Sequence, residues 1–428
     1  MDLIMKKLAA AAFLAATSGF AFAQTLVLKA DRLLDVENGK LINNAAVVIE
    51  NDTIIAAGEA RKITYASDSR IIELGDYTLL PGLMDMHVHL TSDATKHGYK
   101  GLADSLPRVT LTGVKHAQAT LMAGFTTVRN VGAPGFADVA LRDAINDGDI
   151  AGPRMFVAGP SLGVTGGHCD DNLLPYEYHT VSEGVADGPW AVREKVRRNI
   201  KYGATVIKFC GTGGVLSKGT KVGVQQYTFE EMQALVDEAH MRGLTVATHA
   251  HGTDGIKTAI KAGVDSVEHV SLLDDEAIKL ALKHGTYFSM DIYVTEYILS
   301  EGAQAGILEE SLAKERIVGQ RQRDNFTKAV KAGVKMVFGS DAGVYPHGDN
   351  GKQFARMVKF GMTPMQAIQA STINAATLLK QQDTLGSVSE GKKADIVGVK
   401  GNPLDDISLL ENVGLVVKDG QIVKSLAM

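Results

Sequence analysis

Short apolar runs alternate along this chain with segments whose apolar positions recur at helical spacing, and glycine marks the change from one to the other. Ala123-Gly124, Tyr202-Gly203, Arg242-Gly243, Ala262-Gly263, His284-Gly285 and Ala332-Gly333 each close a helical pattern with the glycine favoured just past a helix end. After each comes a short apolar run, at 126–129, 205–209, 245–249, 266–269, 287–290 and 335–341. The intervening helices carry start signals: Thr228 with Glu231 reads as a capping box, and Thr363-Pro364 combines a cap with proline at the first helical position. Adding the runs at 79–89 and 154–158 makes eight strands. Strand and helix repeated in this way predict parallel βα units, and eight of them predict an α/β fold closed as a (β/α)8 TIM barrel over residues 79–382. Both ends of the chain have a different texture. Strand-like runs at 26–29, 46–50, 53–57 and 71–74 are matched by runs at 394–399, 413–417 and 421–423, the last two joined by a hairpin at Asp419-Gly420. Neither end is large enough to bury a core alone, so residues 24–78 plus 383–428 are expected to form one small β-sandwich domain built from both termini.

Residues 1–23 stand apart. Lys6 and Lys7 precede an apolar run from Leu8 to Phe22, and Ala21-Phe22-Ala23 supplies small residues where a signal peptidase reads. A secretory signal cleaved after Ala23 is expected, which makes the mature protein periplasmic or secreted and leaves no membrane anchor. The rest is ordinary globular composition, 45% hydrophobic and 22% charged. A net charge of −5 with no basic or acidic concentration argues against nucleic acid and anionic membranes as partners. Export permits a disulfide, and Cys169 and Cys210 are the only cysteines. Their spacing leaves the pairing open, and two small buried thiols is the plainer expectation.

Candidate chemistry collects at the strand ends. Residues i and i+2 of a strand face the same side, so His87 and His89 can aim at one point, as can His249 and His251. His269 ends the sixth run and Asp341 the eighth. Singly, each histidine has a plain reading as a hydrogen-bonded loop residue and Asp341 as a helix cap. Jointly they occupy the strand ends where such barrels hold their catalytic groups. Imidazole and carboxylate donors suit zinc, with manganese, iron or cobalt as substitutes. Lys208 lies inside the fourth run, where burial lowers its pKa and makes the amine reactive, and one use of such an amine is capture of carbon dioxide as a carbamate that bridges two metals. Gly211-Thr212-Gly213-Gly214 lacks the lysine and hydroxyl ending of a phosphate loop. His97, His116, His179, His240, His284 and His347 are expected at the surface or in loops, with His347 the exception because it follows Asp341 closely.

Several motifs together resemble the amidohydrolase superfamily, and within it the imidazolonepropionase-like and prolidase-like enzymes. They are Pro81-Gly82-Leu83-Met84-Asp85-Met86-His87-Val88-His89, Ile207-Lys208, Thr248-His249-Ala250-His251-Gly252, Ser266-Val267-Glu268-His269 and Gly339-Ser340-Asp341-Ala342-Gly343. The resemblance implies two divalent metal ions: His87 and His89 hold one, His249 and His269 the other, carboxylated Lys208 bridges both, and Asp341 completes the first. It also implies attack of a metal-bridging hydroxide on an amide, with Asp341 moving the proton and Tyr227 donating a hydrogen bond to the carbonyl oxygen. His168 corresponds to a position that meets the terminal carboxylate of a substrate, and His251 and His347 are further candidate substrate contacts. Lys208 favours the prolidase-like branch, whose members cleave dipeptides or N-acyl amino acids, ochratoxin A among them, and are often homo-oligomers. Ring opening of a cyclic amide or lactone is an alternative, and a non-catalytic scaffold a remote one.

Overall fold

The computed structural model describes residues 25–425, so the expected signal segment lies outside the described residues. Leu26–Asp35 pairs antiparallel with Lys40–Glu50, which pairs in turn with Thr53–Glu59. Arg70–Glu73 pairs parallel with Leu26–Asp35, and strands from the other end, Ile396–Lys400, Leu415–Lys418 and Gln421–Lys424, belong to the same eight-stranded sheet. Tyr77–Pro81 joins the two groups, running parallel to Leu26–Asp35 with Leu79 opposite Leu33 and antiparallel to Ile396–Lys400 with Pro81 opposite Ile396. This sheet buries its own apolar face, including Leu28, Val47, Ile49, Leu79, Ile396 and Val417. Arg154 reaches across to both Asp395 and Asp419 and ties the sheet to the central strands.

The run at 79–89, expected as one strand, is two. Leu79, Leu80 and Pro81 belong to the terminal sheet, and the chain crosses over at Gly82, whose N–H donates to the Asp395 carbonyl at 2.8 Å while that of Leu83 donates to Gly124 at 3.1 Å. A Cβ on Gly82 would stand 2.1 Å from Thr126 Oγ1, so only glycine lets the backbone pass here.

Eight parallel strands follow: β1 (Leu83–Val88), β2 (Phe125–Asn130), β3 (Arg154–Val157), β4 (Val206–Cys210), β5 (Thr245–Ala250), β6 (Ser266–His269), β7 (Tyr287–Ser289) and β8 (Met336–Val337). They alternate with helices, and the fold is α/β. β1, β2 and β3 pair in sequence order, as do β4 to β8. Thr205 N donates to Val157 O at 2.8 Å and Leu162 N to Lys208 O at 2.9 Å between the β3 and β4 edges. Met86 N donates to Phe338 O at 2.9 Å and Asp341 N to His87 O at 2.8 Å between the β1 and β8 edges. β8 is shorter than the run at 335–341 suggests, because Phe338 N turns to the Ala370 carbonyl and Asp341 takes a left-handed φ of 58°. The capping boxes at Thr228 and Thr363 form as expected. Among the described residues no helix is long and apolar enough to cross a membrane.

Candidate active site

β1 delivers His87 and His89 side by side, and their Nε2 atoms lie 3.4 and 3.5 Å from the same Asp341 Oδ1. Asp85 holds this arrangement from below: its Oδ1 accepts from the His87 and Ser340 amides at 3.1 Å, and its Oδ2 accepts from Asn350 Nδ2 at 2.8 Å. Three overlapping groups, His87 with His89 and Asp341, His269 with Asp291 and Asp341, and His249 with His251 and His269, each place their donor atoms within 4.8 Å of one another. His269 and Asp341 sit at φ of 70° and 58°. Left-handed backbone is uncommon for residues other than glycine, and its presence at both strand ends is the local strain that recurs at functional sites.

The ring nitrogens are oriented by carboxylates. His87 Nδ1 is 3.0 Å from Glu268 Oε2, and His269 Nδ1 is 2.9 Å from Asp291 Oδ1. Each pairing leaves Nε2 facing the centre. Burial works to raise the Glu268 pKa, but the fully buried Arg129, 2.7 Å away, and the His87 contact outweigh it and hold Glu268 ionised. Burial keeps His87, His249 and His251 neutral, far below the ordinary imidazole range. For His269 the charge of Asp291 overcomes burial and raises the pKa. Asp341 is pushed up to about 7 by burial and by the neighbouring charge of Asp291. Lys208, in a strand with every residue buried, is brought down to about 8 by burial, against the pull of Glu268 and Asp341.

The residues fit a metal centre. His249 Nε2 is buried with no hydrogen-bond partner in the protein, which costs on the order of 1–3 kcal/mol unless something else satisfies it. Neutral imidazoles with free Nε2 atoms around a carboxylate form the donor set that divalent ions such as zinc take.

These groups line one cavity of about 440 Å³, which also takes in His168, Cys169, Cys210, Val215 and Leu216. His168 stacks on His249 with ring centroids 4.0 Å apart, and its buried Nδ1 has no partner. Cys169 and Cys210 form a disulfide with Cα atoms 5.9 Å apart, which corrects the expectation of two free thiols. β4 and the loop after β3 are neighbours in the fold, and that separation is within the span a disulfide bridges. His251 lines the cavity with Nδ1 2.7 Å from Ser271 Oγ.

Two expected substrate contacts are not brought there. Tyr227 is buried beside Phe209 and its hydroxyl donates to the Ala186 carbonyl at 3.2 Å, away from the cavity lining. His347 lies behind the centre, where its Nε2 is 3.1 Å from the His89 carbonyl oxygen and its ring stacks on His116 at 4.6 Å. Both side chains lie in loops whose contacts hold them off the cavity lining. His97, expected at the surface or in a loop, lies in the turn before Gly98–Ala103 and lines the cavity, whereas His116, expected likewise, is buried on the helix Leu106–Met122. Asp85, Arg129, Glu268 and Asp291 are functional residues beyond those expected from the sequence. A charged residue inside an apolar strand was the available signal for the first three, and for Asp291 its place just past β7.

Comparison with known proteins gives the same picture. The model of the amidohydrolase family matches residues 78–423. Ochratoxinase of Aspergillus niger is 33% identical over 416 residues, covering 92% of this chain and 85% of the relative. The crystal structure of a Xaa-Pro dipeptidase with bound methionine in its active site superposes with a TM-score of 0.89 at 40% identity, covering 94% of this chain and 100% of the other. That of a prolidase complexed with N-methylphosphonate-L-proline superposes with a TM-score of 0.86 at 30% identity, covering 94% and 100%.

Proposed function

The chain belongs to the amidohydrolase family and is a hydrolase acting on amide bonds, and from that premise we propose that it is an exported two-metal enzyme cleaving the amide bond to a C-terminal amino acid in dipeptides or N-acyl amino acids. The observation that carries this reading is the convergence of His87, His89, Lys208, His249, His269 and Asp341 on one cavity. The hydrogen bonds across both seams between the two parallel sheets support closure as a (β/α)8 barrel, with these residues at its C-terminal mouth. The disulfide supports export, since such bonds persist in oxidising compartments.

When bound, two divalent ions, for which zinc best matches the donors, supply a water that ionises near neutral pH and an electrophile for the scissile carbonyl. His87 and His89 would hold one ion and His249 and His269 the other: burial keeps His87, His89 and His249 neutral, and the Asp291 carboxylate at His269 Nδ1 leaves that ring's Nε2 toward the centre. The Lys208 amine, lowered to about 8, could add to carbon dioxide with formation of an N–C bond and release of one proton, and the carbamate so formed would be an anionic ligand for the ions. Asp341, whose Oδ1 lies 3.4 and 3.5 Å from His87 and His89 Nε2, would take a proton from the attacking water and hand it to the departing amine. His168, held neutral at about 3 by burial, directs its unpartnered Nδ1 to the carboxylate of the substrate.

The test is metal analysis of the purified protein together with assay of a panel of dipeptides, N-acyl amino acids and cyclic amides. About two ions per chain, cleavage of the linear amides and loss of turnover on chelation are expected. Full turnover in stripped protein, or activity confined to cyclic amides, overturns the reading.

A further inference from the structure

One carboxyl group lines the cavity without a cation of its own among the described residues. Glu315 lies on the helix Glu309–Ala332, lines the cavity and is only 4% exposed. Its hydrogen-bond partner is the Thr295 hydroxyl, and among the described residues it has no ion pair. Arg323, whose charge reaches it, is directed elsewhere, 4.0 Å from Glu296 and 3.4 Å from the Ile292 carbonyl oxygen. The space the carboxyl occupies is built: a Cβ on Gly319 would lie 2.7 Å from Glu315 Oε1 and 2.4 Å from Thr295 Cγ2. The same cavity is lined by the apolar side chains of Val294, Ile298, Val318 and Val344.

A buried carboxylate normally has a cation or a full set of donors, because its desolvation is otherwise uncompensated. Burial pushes the Glu315 carboxyl up to about 7, with the charge of Asp291 adding to the effect, and a cation beside it reverses that direction. Glu315 is also close to the reacting end of the cavity, since the charges of Asp291 and His269 both act on it and Thr295 Oγ1 reaches Gln322, which donates to Asp291 at 2.8 Å. In a dipeptide the α-ammonium is one carbon from the scissile carbonyl, nearer to the centre than any basic side chain.

We propose that Glu315 receives the α-ammonium of the N-terminal residue, with Val294, Ile298, Val318 and Val344 enclosing that residue's side chain, so that the preferred substrates are free-amine dipeptides with an apolar first residue. The assignment rests on the reading of the protein as a hydrolase of amides to a C-terminal amino acid, and it narrows that class. Glu315 then acts in binding, and its effect falls chiefly on KM.

The test uses the metal-loaded enzyme and substrates with one C-terminal residue: an alanyl dipeptide, its N-acetyl form, its propanoyl form lacking the amine, and a lysyl dipeptide with and without an acetylated side chain. For the wild type, kcat/KM for the alanyl dipeptide should exceed that for the propanoyl compound by about 30-fold, the range of a charge-assisted hydrogen bond. In Glu315→Gln that ratio should collapse to within about threefold at wild-type metal content. A wild-type ratio near one, a ratio unchanged in the variant, or a preference that follows the lysyl side chain overturns the role of Glu315 and leaves the amide-hydrolase reading standing. Cleavage of none of these compounds overturns both. The wild-type comparison decides the matter even if the variant folds poorly.

Discussion

Lys208 is a basic side chain at the middle of a fully buried strand, with two carboxylates, Glu268 and Asp341, acting on its charge. Ordinary ion pairing does not explain its placement, since burial still brings its pKa down to about 8 and leaves a reactive amine in reach at neutral pH. In Lys208→Ala, turnover and metal content should both fall by more than about 100-fold, beyond the usual loss for an outer-shell partner. A small carboxylic acid added to this variant should restore part of the activity, and unimpaired turnover without it would remove the carbamate from the mechanism. The ligand candidates were legible because a strand's two-residue period pairs His87 with His89 and because strand ends share one edge. Glu268 and Arg129 were not, because their roles exist only in their contact, made between residues 139 positions apart.

At the scale of elements, the disulfide ties the loop that carries His168 to β4, which carries Lys208. It closes a sequence separation of 41 residues, for which the loss of chain entropy in the unfolded state is worth about 4 kcal/mol. The paired substitution Cys169→Ser with Cys210→Ser should lower the unfolding free energy in urea by roughly that amount and raise KM for substrates with a free carboxylate. Equal stability of the two proteins would mean that the bond contributes nothing in solution. Element types were readable from glycine stops and capping boxes, which are local signals. The break at Gly82 was not, since the apolar run continues through it and only the approach of Thr126 from β2 shows where one sheet ends.

For the molecule as a whole, His347 links stability to pH. Burial pushes its pKa down to about 3, with the charge of His116 adding to the effect, against about 6.5 in the unfolded chain. Between those values the unfolded chain binds a proton that the native state refuses, so the contribution is fully present above about 6.5 and is lost as pH falls toward 3. Between pH 7 and 5, urea unfolding of the wild type should lose about 2 kcal/mol more than that of His347→Gln. Parallel curves would show that His347 titrates as an exposed histidine does. Short-range regularity lies within the chain itself: the alternation of strand and helix, the faces of each strand, the caps, and so the convergence of histidines on one edge. Those features follow from backbone periods of two and 3.6 residues, which hold whatever the distant chain does. Tertiary packing alone decided that Glu268 meets His87 across 181 residues, that Cys169 reaches Cys210, that Tyr227 and His347 turn away from the cavity, and that Glu315 faces it. Such pairings join segments with no local relation, and only closure of the chain on itself brings them within bonding distance.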